Sequence, residues 1–207
     1  MTGQEFINRY KTVYDEYNGY YDPAKLQRFT DTATSNIFQK KVDLYDVGSP
    51  ASNDLLPFLK VASVTPSVGN IIDVSATSVA VPNYKKFTSG LATYVVNGAS
   101  IIRPLSQLKE VFRGNFYGNG TVDYPTYEKL NDTFIINPTS ITCTNVNFRY
   151  IRTFIQIVIT DTLVQIPYND DFANEILTEM KQLVAAANRE PLEAQLAAAE
   201  QQRNATN

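Results

Sequence analysis

The sequence predicts an α+β protein with two N-terminal helices, a central antiparallel β-rich part built from hairpins, and a long C-terminal helix that leads into a kinked helical arm. Two observations carry that expectation. Apolar residues recur three and four apart along the first part of the chain and again from Phe172, the mark of amphipathic helices. Between these stretches, period-two alternation and Asn-led tight turns take over. The expected boundaries are a body over 1–168, with helices within 3–46 and a β-rich part over 58–167, followed by the C-terminal helix and arm over 169–207.

Thr2-Gly-Gln-Glu5 has the spacing of a capping box, and Phe6, Tyr10, Val13, Tyr14 and Tyr17 follow on one helical face, which ends near Asn18-Gly19. Asp22-Pro23 is an N-cap with proline at the first helical position. Leu26, Phe29, Ala33, Ile37 and Phe38 continue that second helix to about Tyr45. Residues 48–53 read as a connector, and Pro57 limits any helix begun at Asp54, so the chain turns to extended structure there. Leu91–Val96, Asn97-Gly98 and Ala99–Arg103 form a hairpin pattern, since Asn-Gly readily takes the positive φ of a primed turn. Ser106 is expected to cap a short helix through Arg113, and Gly114–Gly120 to form a loop.

Tyr127–Leu130, Asn131-Asp132 and Thr133–Ile136 suggest a second hairpin, ended by Asn137-Pro138. Val146, Phe148 and Tyr150 then alternate with Asn147, Arg149 and Ile151 as in a strand with one buried face, and Phe154–Ile159 with Leu163–Ile166 read as a last strand pair around Asp161-Thr162. Asp170 and Asp171 place negative charge at the start of the final helix, whose expected apolar face is Phe172, Ile176, Met180, Leu183 and Ala187. Pro191 clashes with the carbonyl of Ala187 in a regular helix, so a stop or kink is expected at 188–190. Beyond it, Leu192, Leu196 and Ala199 form a thin stripe on a strongly helix-prone segment, marginal by itself. Two readings stand: an ordinary frayed terminus, or an arm that docks on a partner.

The composition argues against catalysis. The chain has no histidine, so the commonest general base, nucleophile activator and zinc ligand are missing. Cys143 is the single cysteine, which rules out an intramolecular disulfide and a Cys-based metal cage. No phosphate-binding loop is present, and Gly114, Gly118 and Gly120 do not fit the dinucleotide fingerprint. Asp170/Asp171 and Glu175/Glu179 sit where a solvated helix start places acids. Arg149 and Arg152 fall on opposite faces of an extended strand, so with Lys85-Lys86 they make a poor nucleic-acid patch. The expectation is therefore a non-enzyme with no cofactor, no metal and no catalytic residue. The opening residues contain no apolar run after a basic start and no segment approaches a membrane span, which predicts a soluble protein made in a cytoplasm.

With 43% apolar and 19% charged residues the chain has enough material for a core and large uncharged polar surfaces, and its 13 tyrosines suit contact surfaces as well as cores. Charge is unevenly spread. Residues 85–152 hold eight basic and four acidic side chains, whereas 161–207 hold three and eight. Such a split favours head-to-tail packing of identical subunits; a solvated acidic helix is the plain alternative.

The run Tyr124-Pro-Thr-Tyr-Glu-Lys-Leu-Asn-Asp-Thr-Phe-Ile-Ile-Asn-Pro138, followed by Val146-Asn-Phe-Arg-Tyr-Ile-Arg152, resembles a recurrent stretch in structural proteins of tailed bacteriophages, notably crAss-like phages of Bacteroidetes hosts. Asn53-Asp-Leu-Leu-Pro-Phe-Leu59 resembles their transition into the first strand, and the order of elements is similar over most of the chain. The link from Arg152 to Asn169 departs from that pattern by lacking a long apolar or Trp-containing loop. The resemblance implies a neck, or head–tail connector, protein that forms a ring, a dodecamer by family resemblance, below the portal. It also implies portal and neighbouring neck or tail proteins as partners, and double-stranded DNA passing non-specifically through the ring. Membranes play no part, and the location is the virion. Leu192, Leu196 and Ala199 are then the candidate assembly interface. The rival expectation is a tail-associated binding module for a glycan or protein.

Overall fold

The computed structural model describes residues 1–14, 22–45, 51–107 and 120–205, with side chains placed except at 13, 14, 51, 52 and 188–205. The fold is α+β and divides into two units. One is helical and discontinuous, Met1–Pro57 with Phe154–Asn207; the other, Phe58–Thr153, is built on strands among the described residues. This division does not coincide with a body over 1–168 and an appended 169–207, because the C-terminal helix belongs with the N-terminal ones.

In the helical unit, α1 spans Gly3–Tyr14 and α2 spans Pro23–Asp43. The capping box forms at both ends: the Thr2 amide donates to a Glu5 carboxylate oxygen at 2.7 Å and the Glu5 amide to the Thr2 hydroxyl at 3.2 Å. Gly3 is required where it stands, since a Cβ there would lie 1.9 Å from the Val158 carbonyl oxygen. At α2 the Asp22 side chain accepts from the Ala24 amide and proline fills the first turn. Leu26, Ala33, Ile37 and Phe38 are buried. So are Thr30 and Thr34, whose hydroxyls donate back to the Leu26 and Thr30 carbonyls, which lets polar residues sit on the packed face. The first helix was expected to end near Asn18-Gly19, and those residues, with Tyr17, lie outside the described ones.

A short helix α3, Ala51–Leu55, and a single 3₁₀ turn, Leu56–Phe58, replace the later part of the expected connector. The final helix, α4, runs uninterrupted over Asp170–Ala205. Of the two alternatives expected at 188–190, a stop or a kink, the stop is corrected: the helix passes through Pro191. Proline removes one ladder hydrogen bond, and the alanines, glutamates and leucines on both sides favour helix strongly enough to carry the element past it. Asn169 caps α4, its side-chain oxygen accepting from the Phe172 amide at 2.8 Å. Phe172, Ala173, Ile176, Leu177, Met180 and Val184 are buried, so the apolar face turns away from Ala187, which is exposed.

The expected strand pair Phe154–Ile159 and Leu163–Ile166 does not form. That segment is irregular chain, with one isolated bridge between Thr2 and Gln165. Its backbone is satisfied from the helices instead. The Gln27 amide donates to the Ile157 carbonyl at 2.8 Å and accepts from the Ile159 amide at 3.1 Å, imitating a neighbouring strand. The Gln4 amide donates to the Asp161 carbonyl, and the Tyr168 hydroxyl to that of Ile155.

The β unit holds β1 (Leu59–Val64), β2 (Ile71–Asp73), β3 (Tyr84–Val96), β4 (Ala99–Pro104), β5 (Ser106–Gln107), β6 (Thr126–Leu130), β7 (Thr133–Asn137) and β8 (Cys143–Arg152). They form two four-stranded sheets, ordered β1-β8-β3-β4 and β2-β7-β6-β5. All pairs are antiparallel except β5 with β6, which is parallel. Ser106 thus lies in a strand rather than capping a helix, because pairing with Thr126 uses its backbone; residues 108–119, where the helix and most of the loop were expected, lie outside the described ones.

Both expected hairpins are present. Asn97 and Gly98 take φ of 51° and 80°, the double positive φ of a primed turn, and Asn131 takes 51° in the second. The sheets meet across an aromatic core. Phe134 of β7 stands edge-on to Phe148 of β8 with centroids 5.0 Å apart, and Phe87 of β3 lies 4.7 Å from Tyr127 of β6. Burial of Phe134, Phe148 and Tyr94 at 0–1% exposure contributes about 1.5–3 kcal/mol apiece. The Tyr94 hydroxyl donates across the sandwich to the Asn137 carbonyl at 3.0 Å, and burial pushes the Tyr84 phenol up to about 12.

Candidate functional site

The residue pairs screened for chemistry do not converge. Asp170 is exposed and pairs with Arg9 at 3.5 Å, and Glu179 accepts from Asn36. Cys143 is 1% exposed with its thiol pushed up by burial, the state of an inert core residue. Arg149 and Arg152 lie on opposite faces of β8, as the alternation predicts. Among the described residues no three His, Cys, Asp or Glu side chains gather as metal ligands do, and no helix is long and apolar enough to cross a membrane.

One ionic cluster is built into the helical unit. The Lys41 ammonium reaches Asp54 at 2.6 Å and Glu175 at 2.7 Å, and stands 5.0 Å from the centre of the Phe172 ring. Asn169 donates its amide to the other Asp54 oxygen at 2.7 Å, so the residue that caps α4 also holds α3. Burial alone would lift the Asp54 carboxyl, but hydrogen bonds from Lys41 and Asn169 outweigh it and hold the group below the usual aspartate range. Burial likewise disfavours the Lys41 charge, and its two carboxylate partners outweigh that, leaving it raised. Every ligand-like group here is consumed by its neighbours, which makes the cluster a clamp among α2, α3 and α4.

Two features among the described residues bear on partners. The first is α4 itself. Contacts from Thr30 to Met180, Asn36 to Glu179 and Lys41 to Glu175 set α2 antiparallel to α4. With Thr30 opposite Met180, the start of α2 at Pro23 falls opposite the region of Ala187. Val184 is buried, and 185–187 are all exposed. The helix continues to Ala205, so residues 185–205 run about 31 Å beyond Val184. Leu192, Leu196 and Ala199 lie on this extension, at spacings that recur on one side of a helix, and their side chains lie outside the described ones.

The second surface is the outer face of the β1-β8-β3-β4 sheet. Register places Val61 beside Arg149 and Ser89, Ser63 beside Asn147, Leu91 and Pro104, and Asn145 beside Thr93 and Ile102. Four aliphatics on it are exposed: Val61 at 68%, Leu91 at 43%, Val95 at 51% and Ile102 at 55%. Arg149 is the one charge in these rows, and it makes no ion pair among the described residues. Elsewhere in the β unit, a groove of about 520 Å³ is lined by Ser106, Thr121, Asp123, Tyr124 and Thr126, with Tyr124 80% exposed.

Charge separates with the architecture. Residues 58–153 hold nine Lys/Arg and five Asp/Glu, a net of +4, and the helical unit holds the remaining nine and sixteen, a net of −7. Sequence reasoning found the C-terminal stripe and the charge split. It missed the open sheet face, because Val61, Leu91, Val95 and Ile102 come from three strands and share a face only once the register is set. No protein-family model matches the chain, and comparison with curated proteins finds no match.

Proposed function

We propose that this chain is a structural virion protein that forms a ring in the neck of a tailed phage, joining portal and head to the tail around the DNA channel. The observation that carries the reading is α4: residues 185–187 are exposed and the helix continues to Ala205, which suits an element that meets something else. The phage-protein resemblance of 124–138 and 146–152 supplies the setting, and the separation of a +4 unit from a −7 unit suits subunits that meet through unlike faces. No bond is made or broken; the work is heterologous packing that closes into a ring.

The test is assembly with a chain ending at Arg189. The shortened protein keeps Phe172 to Val184 and should melt as the full chain does, yet enter particles poorly. Normal incorporation with a normal melt would make the extension dispensable and remove the support it gives. A second reading, a tail-associated glycan- or protein-binding module, draws on the groove at Asp123 and Tyr124, since an exposed aromatic beside polar groups suits sugar stacking. Glycan affinity of a purified monomer, abolished by Tyr124→Ala, would favour it.

A further inference from the structure

We propose that the C-terminal extension of α4 docks on the outer β1-β8-β3-β4 face of a second copy of this chain. The inference rests on reading 185–205 as an assembly arm, and it names what the arm meets. The open face measures about 14 Å across its four strands and about 20 Å from Ser89 to Val95 along β3. A helix of about 10 Å diameter covers it in one pass, and the extension of about 31 Å is long enough. Helix on sheet is the ordinary way to cover a sheet face that carries aliphatics. Val61, Leu91, Val95 and Ile102 supply the apolar contact, and Arg149 supplies a positive charge in its midst.

The charges agree with that occupant. Residues 185–205 carry Glu190, Glu193 and Glu200 against Arg189 and Arg203, a net of −1 at the end of a helical unit at −7, while the face belongs to the unit at +4. With the arm on one unit and the receiving face on the other, each copy can give one arm and receive one, which suits a heterologous contact that closes into a ring. The face area is on the order of 300 Å², below the roughly 800 Å² per partner of stable complexes. The contact alone therefore supports weak association, which closure of a ring reinforces.

The experiment uses two variants and sedimentation equilibrium at about 10–100 μM, where dissociation constants of that order are read. One chain ends at Arg189 and keeps the face. The other carries Leu91→Asp with Ile102→Asp and keeps the arm; Arg149→Glu is the gentler face variant if the double change lowers the melting temperature. The full-length protein should associate with rising concentration, and each variant alone should stay monomeric. Their equimolar mixture should give a 1:1 heterodimer and nothing larger, since only one arm and one face remain intact. A monomeric full-length chain, association of either variant alone, or a mixture that does not pair would each overturn the proposal. The readout needs no virion, so its failure leaves the neck assignment to be judged by where the chain sits in particles.

Discussion

Replacing Lys41 with methionine isolates the clamp of the helical unit. Methionine keeps the unbranched stem but removes the ammonium that bonds Asp54 at 2.6 Å and Glu175 at 2.7 Å. Glu175 has a side chain 47% exposed and returns to water, so its share of the loss is about 0.2–1 kcal/mol. Asp54, 17% exposed, keeps only the Asn169 hydrogen bond and becomes a poorly solvated carboxylate. Stripping one partner from a buried ion pair costs about 3–5 kcal/mol, and partial exposure brings the expected total to about 2–4 kcal/mol at pH 7.

The pH dependence gives the cause away. A carboxyl depressed in the folded state stabilises above its unfolded pKa of about 3.9 and loses that contribution as pH falls through the folded value. Lys41, raised in the folded state, contributes below about 10.4 and loses it as pH climbs above that. The Lys41→Met penalty should therefore be full between these limits and shrink as pH falls from about 3.9 through the depressed folded value of Asp54, which once protonated no longer needs the cation. Urea unfolding followed by far-UV ellipticity at several pH values measures it. A penalty under about 1 kcal/mol at pH 7, or one that is the same on both sides of the Asp54 titration, would refute the assignment. Lys41→Met with Asp54→Leu should recover most of the loss, since an apolar replacement of the whole pair is close to neutral.

Gly98→Val should cost the β unit about 1–2 kcal/mol, because φ is 80° there and no atom lies within 4 Å of an added Cβ, so backbone strain acts alone; an unchanged urea midpoint would contradict the turn. Asn70 is 3% exposed, donates to the carbonyls of Pro138 and Ile141 and accepts from the Cys143 amide. Asn70→Ala orphans all three groups and should cost about 3 kcal/mol, with Asn70→Asp at least as damaging because a carboxylate then faces two carbonyls; calorimetry of the three proteins checks the order. Ending the chain at Arg189 should shift the melting temperature by less than about 2 °C, and a larger fall would place the extension in the core.

What was legible in the sequence was whatever local chemistry decides. Thr2-x-x-Glu5, Asp22-Pro23 and Asn97-Gly98 each fix a cap or turn with their own side chains and backbone angles, and the structure uses all three as read. Two readings failed where a distant group overrode the local pattern. Phe154–Ile166 alternates like strands, but Gln27 of α2 takes the hydrogen bonds that a partner strand would have taken. Ser106 has the chemistry of a helix cap, yet Thr126 pairs with its backbone. At Pro191, where a stop or a kink was expected, the stop does not occur, and the helix-favouring residues around it carry α4 through. Asn70 was invisible for a related reason: an asparagine between Gly69 and Ile71 reads as a turn residue, and its three side-chain partners are 68 or more positions away.

The most direct test of the neck assignment is the position and copy number of the chain in purified particles of the phage that encodes it, read by cryo-electron microscopy of the head–tail junction. The account predicts density for both units in a closed ring around the DNA channel, with the end of α4 reaching beyond its own subunit. Its absence from particles, or its presence only at a fibre or tail tip, would contradict the account.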